Sequence, residues 1–162
     1  MPITEAELDA ARVAWGDALV AIAKAYEADG IDGARSVATG VLDAAYGYNL
    51  GPVMFKPTLS SGPKTFRPTQ KGALSYFVAH DPDYPLDGGF ALKGWREVTS
   101  ETSASFIEGD VAMWMGWVTM TDKDGNVTMV DKSWGYKKDE NGTLRIVLHH
   151  SSLPFAPPPE TA

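Results

Sequence analysis

The stretch VAMWMGWVTMTDKDGNVTMVDKSWGYKKDENGTLRIVLHHSS, residues 111–152, decides the fold. It consists of three apolar runs separated by two polar turns. Lys123-Asp124-Gly125-Asn126 punctuates the first junction and Asp139-Glu140-Asn141-Gly142 the second. Asp-Gly and Asn-Gly favour tight hairpin loops, because glycine accepts a positive φ without penalty. Short loops force antiparallel neighbours, so the spacing predicts a meander of strands over 111–121, 127–138 and 143–152. Upstream, Glu108-Gly109-Asp110 marks another turn, and the Thr- and Ser-rich run 98–107 reads as a further strand with a half-wet face.

Toward the N-terminus the apolar period changes from two to 3.6. Thr4-Glu5-Ala6-Glu7 has the form of a capping box, and Ile3 and Leu8 are spaced for a hydrophobic staple across it. Leu8, Trp15, Leu19, Ile22 and Tyr26 form one stripe, which Asp29-Gly30 ends. A second helix is predicted from Asp32, with Ala34, Val37, Val41, Ala45 and Tyr48 on one face and Gly47 or Gly51 as its stop. Residues 48–68 hold Pro52, Pro57, Pro63 and Pro68. Within them, 53–56 and 64–67 read as a short hairpin around Ser60-Ser61-Gly62. Thr69 caps a third helix with Leu74, Phe77 and Val78 inside, and 81–89 is a loop. The expected class is α+β, about three helices against one antiparallel sheet. Residues 1–156 form a single domain, and 157–162 are expected to be a disordered proline-rich tail.

Composition narrows the function. A chain of 162 residues is one domain by the usual prior and buries a real core without staples. The net charge of −7 argues against nucleic acid as a partner, since that binding needs a basic patch. With no cysteine, disulfides, thiol nucleophiles and thiolate zinc sites are excluded. No apolar run approaches the ~20 residues of a membrane helix. Glu5, Glu7, Asp9, Arg12 and Asp17 interrupt any export leader, so the expected location is cytoplasmic with no membrane partner. No dinucleotide, phosphate-loop, nucleophile-elbow or zincin motif is present, and no cofactor or metal is expected.

Hairpin arithmetic places the polar residues. If both turns have four residues, Asp122 faces Val127 and Lys138 faces Thr143, and directly opposed residues share a face. The helix-covered face then carries Trp114, Gly116, Val118, Asp131, Ser133, Ile146, Leu148 and His150. The other carries Met113, Met115, Trp117, Val130, Trp134, Tyr136 and Val147. An odd-length loop or a bulge exchanges part of this assignment. On this register Asp131 opposes His150. A carboxylate beside an imidazole raises its pKa and fixes its tautomer, which suits a general base, and equally describes a satisfied polar core pair. His150 and Asp131 are therefore the candidate catalytic residues, with Trp114 and Ser133 beside them as candidate ligand contacts. Lys56 and Arg67, each followed by proline, are placed to hold an anion at the pocket mouth, with Tyr48 on its rim. His149 is expected on the outer face with Arg145, and His80 in solvent. The Met113, Met115, Trp117, Trp134 and Tyr136 face would be a large apolar patch, so a homo-oligomer, a dimer through that face, is expected.

The element order and the closing strands resemble the NTF2-like (cystatin-like α+β) superfamily. Asp110-Val111-Ala112, residues 128–138 and residues 142–154 are similar to SnoaL-like proteins and to bacterial relatives of the calcium/calmodulin-dependent kinase association domain. The last strand of those proteins typically reads trp-x-ile-val-x-x-his-x-ser. Here Leu144 stands for the tryptophan and His150 for the histidine. The pocket arginines of the association domains fall at Val118 and Gly135. The resemblance implies a cone of helices on a curved sheet with a deep pocket, found in ligand binders, cofactor-free enzymes and assembly modules alike. The leading expectation is a small-molecule-binding protein. The alternatives are a cofactor-free isomerase, cyclase or dehydratase using His150 and Asp131, and an oligomeric assembly module.

Overall fold

The capping box closes. The Thr4 hydroxyl accepts from the Glu7 amide, and the Glu7 carboxylate accepts from the Thr4 amide. Ile3 and Leu8 are both buried across it, as a staple requires. From here α1 runs Glu5–Ala45 in the computed structural model, which describes residues 1–160. It is two helices joined at a kink. Gly30 adopts φ 71 and ψ −160, outside helical space, and only glycine takes that conformation cheaply. Leu8, Trp15, Leu19 and Ile22 are buried from the first half, and Ala34, Ala38 and Leu42 from the second.

Tyr48 lies beyond α1, in a single 3₁₀ turn. The predicted short hairpin is corrected. Its first arm is β1, Met54–Lys56, but 64–67 form no strand. Pro57, Pro63 and Pro68 carry no amide to donate, and the arms share only the Arg67-to-Phe55 and Val53-to-Pro68 backbone bonds. α2, Gln70–Val78, starts at its predicted Thr69 cap. Then come β2 (Trp95–Glu108), β3 (Val111–Asp122), β4 (Val127–Lys138) and β5 (Leu144–Ser152). The sheet order is β1-β5-β4-β3-β2, antiparallel except that β1 runs parallel to β5. The α+β class with helices on one curved sheet is the one expected. Residues 153–160 have no regular structure, and the rest of the predicted tail, 161–162, lies outside the described residues.

Register changes the site. The first loop has five residues: the Asp122 amide donates to the Asn126 carbonyl at 3.0 Å, and Thr121 rather than Asp122 opposes Val127. One extra residue flips all of β4. Val130, Lys132, Trp134 and Tyr136 turn inward, and Asp131 and Ser133 turn outward. The second loop, 139–143, also has five residues, so Leu144 rather than Thr143 opposes Lys138, and on β5 a bulge follows. Tyr136 pairs with Ile146 and Gly135 with Leu148, which leaves Val147 unpaired. After it, His149 and Ser151 face inward and His150 is exposed. Asp131 therefore pairs with Ser152, and His150 with Ser133, so the expected Asp131–His150 pair does not form. Trp134 and Tyr136 also leave the outer apolar face, where Met113, Met115 and Trp117 stay exposed beside Phe106, Val111, Val127 and Met129. Among the described residues, no helix is long and apolar enough to cross a membrane.

Candidate active site

The inward residues of β4 and β5 meet α1, α2 and the chain after β1 at a narrow, closely packed cleft. Trp15, Phe55, Thr58, Tyr76, Lys132 and His149 are among its walls. Most of the lining is aromatic, so the polar groups are few and closely placed.

The first polar group is a hydroxyl cluster. Parallel pairing of β1 with β5 sets Lys56 opposite His150, and two residues later Thr58 reaches Ser151. Their hydroxyl oxygens are 2.6 Å apart. The Lys56 amine donates to the Ser151 carbonyl at 2.9 Å and ties the two strands together. Nearby, the Tyr76 hydroxyl accepts from the Leu59 amide at 3.1 Å. Burial pushes the Tyr76 phenol up to about 12, with the Leu59 amide and Thr58 hydroxyl pulling the other way. Tyr76 is thus a protonated donor at neutral pH.

The second group is a buried chain. Trp15 Nε1 donates to Tyr46 Oη at 3.0 Å, and Tyr46 Oη lies 2.9 Å from His149 Nδ1. His149 Nε2 lies 2.9 Å from Lys132 Nζ. Phe55 stacks on the imidazole at 4.6 Å and 12°. Burial holds the His149 pKa well below the usual histidine range, and Lys132 and His150 lower it further. Lys132 is only 3% exposed. Burial drops its amine to about 7, Asp131 opposing and Lys56 adding to the drop. Both groups are stripped of the water that would favour their charged forms.

The sequence-predicted residues are dispersed. Trp114 backs the cleft wall, donating to Thr102 at 2.8 Å and packing on Trp134. Asp131, half-buried, accepts from the Ser152 hydroxyl at 2.6 Å, and Ser133 sits on that same outer side. His150 lines a separate groove with Met54, Lys56 and Leu148. Tyr48 donates to the Arg67 carbonyl at 2.9 Å. Arg67 is a lock and not a pocket-mouth ligand group. It binds Asp87 in a fork at 2.7 Å and 2.7 Å and also donates to the Lys64 and Gly72 carbonyls. Only Lys56 reaches the hydroxyl cluster. His149, expected outside, is 1% exposed. Lys132, His149 and Ser151 escaped the sequence reading because no local pattern announces the five-residue loops or the bulge at Val147. Thr58 escaped it because only the parallel β1–β5 pairing gives it a partner, and Tyr76 because nothing around it in the sequence marks it. The alternation His149-x-Ser151 was the available signal. Among the described residues, no cluster of three or more metal-ligating side chains is present.

Residues 6–153 match the family model for metal-independent carbonic anhydrase. A metal-independent carbonic anhydrase of Nostoc sp. (strain PCC 7120 / SAG 25.82 / UTEX 2576) is 54% identical over 153 residues, 94% of this chain and 75% of that one. The crystal structure of an iota-carbonic anhydrase from a cyanobacterium, complexed with bicarbonate, is similar at TM-score 0.95 and 53% identity. It covers 96% of this chain and 95% of that chain. A calcium/calmodulin-dependent protein kinase II association-domain homologue from Xanthomonas campestris is similar at TM-score 0.53 and 21% identity, over 94% and 89% of the two chains. At that identity the likeness is one of fold, and it agrees with the NTF2-like class expected from the closing strands.

Proposed function

The chain belongs to the metal-independent carbonic anhydrase family, and we propose that it interconverts carbon dioxide and bicarbonate where the Thr58 and Ser151 hydroxyls meet. The carrying observation is that hydroxyl pair, 2.6 Å apart, whose Thr58 member lines an aromatic cleft beside protonated Tyr76. The relative complexed with bicarbonate shares this fold at TM-score 0.95, which supports the same ligand here.

Hydration needs little from a protein beyond placement and charge stabilisation. A water oxygen attacks the carbon, a C–O bond forms, one C=O electron pair moves onto its oxygen, and a proton leaves. Carbon dioxide has no dipole, so the walls of Phe55, Phe77 and Phe90 receive it at little desolvation cost. The oxygens that gain negative charge need donors, and Thr58, Ser151 and Tyr76 supply them in a water-poor site where such bonds are strong. Stopped-flow hydration and ¹⁸O exchange test the reading. The wild type should accelerate both, with and without a chelator. Ser151→Ala and Thr58→Val should each lose on the order of 10²–10³-fold in kcat. A wild type that binds bicarbonate without turnover would return the cleft to ligand binding alone.

The outer face carries a second reading, a dimer. Seven large apolar side chains, Phe106, Val111, Met113, Met115, Trp117, Val127 and Met129, are exposed over β2, β3 and β4. A patch of that kind marks an interface, and a second copy presents the same face about a two-fold axis. Light scattering on Trp117→Glu should give a monomer where the wild type gives a dimer. A monomeric wild type at micromolar concentration ends this reading.

A further inference from the structure

Three apolar voids lie in series between the surface and the cleft, and Trp15 is a wall of each. The outermost is an open groove of about 420 Å³ beside α1. The kink at Gly30 returns the second half of α1 alongside the first, so Ala18 from one half and Val41 from the other share its wall. The groove is lined by aliphatic carbon apart from Trp15, Tyr136 and Glu7, and the Glu7 carboxylate is already taken by Thr4 and Lys138. Ala18 and Val41 also wall the second void, a gap of about 10 Å³ that Phe77 of α2 lines as well. That is room for roughly one water-sized sphere. Phe77 is in turn a wall of the cleft that holds Thr58 and Tyr76. Protein interiors are close-packed, so voids that share walls all the way to a reaction site form a line along which packing yields first. Trp15 does not yield. Its indole N–H is bonded to Tyr46 at 3.0 Å, and its ring is braced against Trp134 at 5.4 Å and His149 at 5.8 Å. The movable walls are Val41, which is half-buried, and Phe77.

Building on the proposed carbonic anhydrase activity, we infer that this line of voids is the route by which carbon dioxide enters and leaves the cleft, with Ala18 at its neck. The two carbon species of the reaction differ in the property that such a route selects. Carbon dioxide has no charge and no dipole, so aliphatic walls accept it with little loss of hydration. Bicarbonate is an anion, and between Ala18 and Phe77 no side chain offers a donor to replace its water. It is confined to the polar side of the cleft, where Lys56 and Thr58 are half-buried at the surface. Separate doors keep the charged species off the path of the apolar one. The methyl group of Ala18 is what leaves the neck open, since a larger side chain there would fill the gap that Val41 and Phe77 share with it.

Ala18→Phe puts a ring into the neck and leaves every polar group of the cleft in place. In stopped-flow hydration the KM for carbon dioxide should rise about tenfold or more with kcat held, because entry alone is slowed. Dehydration should lose the same factor in kcat/KM, since the equilibrium constant of the reaction is fixed. Bicarbonate affinity, read by ¹³C NMR titration, should not change. A folded Ala18→Phe protein with wild-type KM overturns the route and leaves the cleft standing. An inactive wild type overturns the carbonic anhydrase reading and the route with it. Crystals of the wild type cooled under carbon dioxide pressure give a second readout, which decides the matter if the variant misfolds or loses bicarbonate binding. A linear molecule between Ala18, Val41 and Phe77 supports the route. Carbon dioxide in the cleft with none on the Ala18 side of Phe77 overturns it.

Discussion

The hydroxyls of Thr58 and Ser151 lie 2.6 Å apart although 93 positions separate them in the chain. Within the pair only one oxygen donates to the other, which leaves one hydroxyl hydrogen to share between Tyr76 and a ligand oxygen. The two should therefore act as a unit. The double variant Thr58→Val/Ser151→Ala should lose about as much kcat as the worse single variant, where independent groups would multiply. Stopped-flow hydration on the four proteins of the cycle measures this, and strictly multiplicative losses would separate the roles.

Arg67 and Asp87 are a stability element. Both side chains are nearly fully buried, at 3% and 4% exposure, and Ser75 adds a third bond to the carboxylate at 2.6 Å. Breaking a buried pair by removing one partner strands the other charge. Asp87→Ala should cost about 3–5 kcal/mol in urea unfolding. The KM of the protein that remains folded should hold, because neither residue lines the cleft.

How much of this was legible in the sequence follows from which contacts are local. The Thr4 capping box, the Thr69 cap and the glycine turns after β2, β3 and β4 depend on neighbours in sequence, and each appears where expected. The α+β class follows from them. The parity of β4 rests on one residue in the 122–126 loop, and that of β5 on one residue in the 139–143 loop together with the unpaired Val147. None of the three has a composition signature, yet together they exchange Asp131 and His150 for Lys132 and His149. Thr58 had no local signal either, since only the parallel β1–β5 pairing gives it a partner.

Tyr46 is the joint of the buried chain, accepting from Trp15 and bonded to His149. Tyr46→Phe removes one oxygen and leaves two buried ring nitrogens without a partner. Each unsatisfied group costs about 1–3 kcal/mol, so the loss in denaturant unfolding should be about 2–6 kcal/mol. The same change frees the His149 tautomer, so the acid limb of the pH–stability profile that His149 shapes should also move. A stable variant with an unmoved profile would mean that water replaces the hydroxyl.

Lys132 and His149 also predict how stability depends on pH. Burial lowers both pKa values, from 10.5 to about 7 for Lys132 and well below 6.5 for His149. Between the folded and unfolded values the unfolded chain binds the extra proton, so stability rises with pH. For His149 the rise is complete above about pH 6.5. For Lys132 the full penalty applies below about pH 7 and is relieved progressively toward 10.5. The buried phenols Tyr46 and Tyr76, both raised, act oppositely once unfolded tyrosine ionises near 10. Melting temperature should therefore climb from pH 7 to about 9.5 and then turn down. Lys132→Met should flatten that climb while keeping the acid limb that His149 shapes. It should also raise the melting temperature at pH 6, at about 2–4 °C per kcal/mol for a chain of this length. Calorimetry of both proteins across pH 5–10 measures the difference, and an unchanged slope above pH 7 would assign the climb to another group.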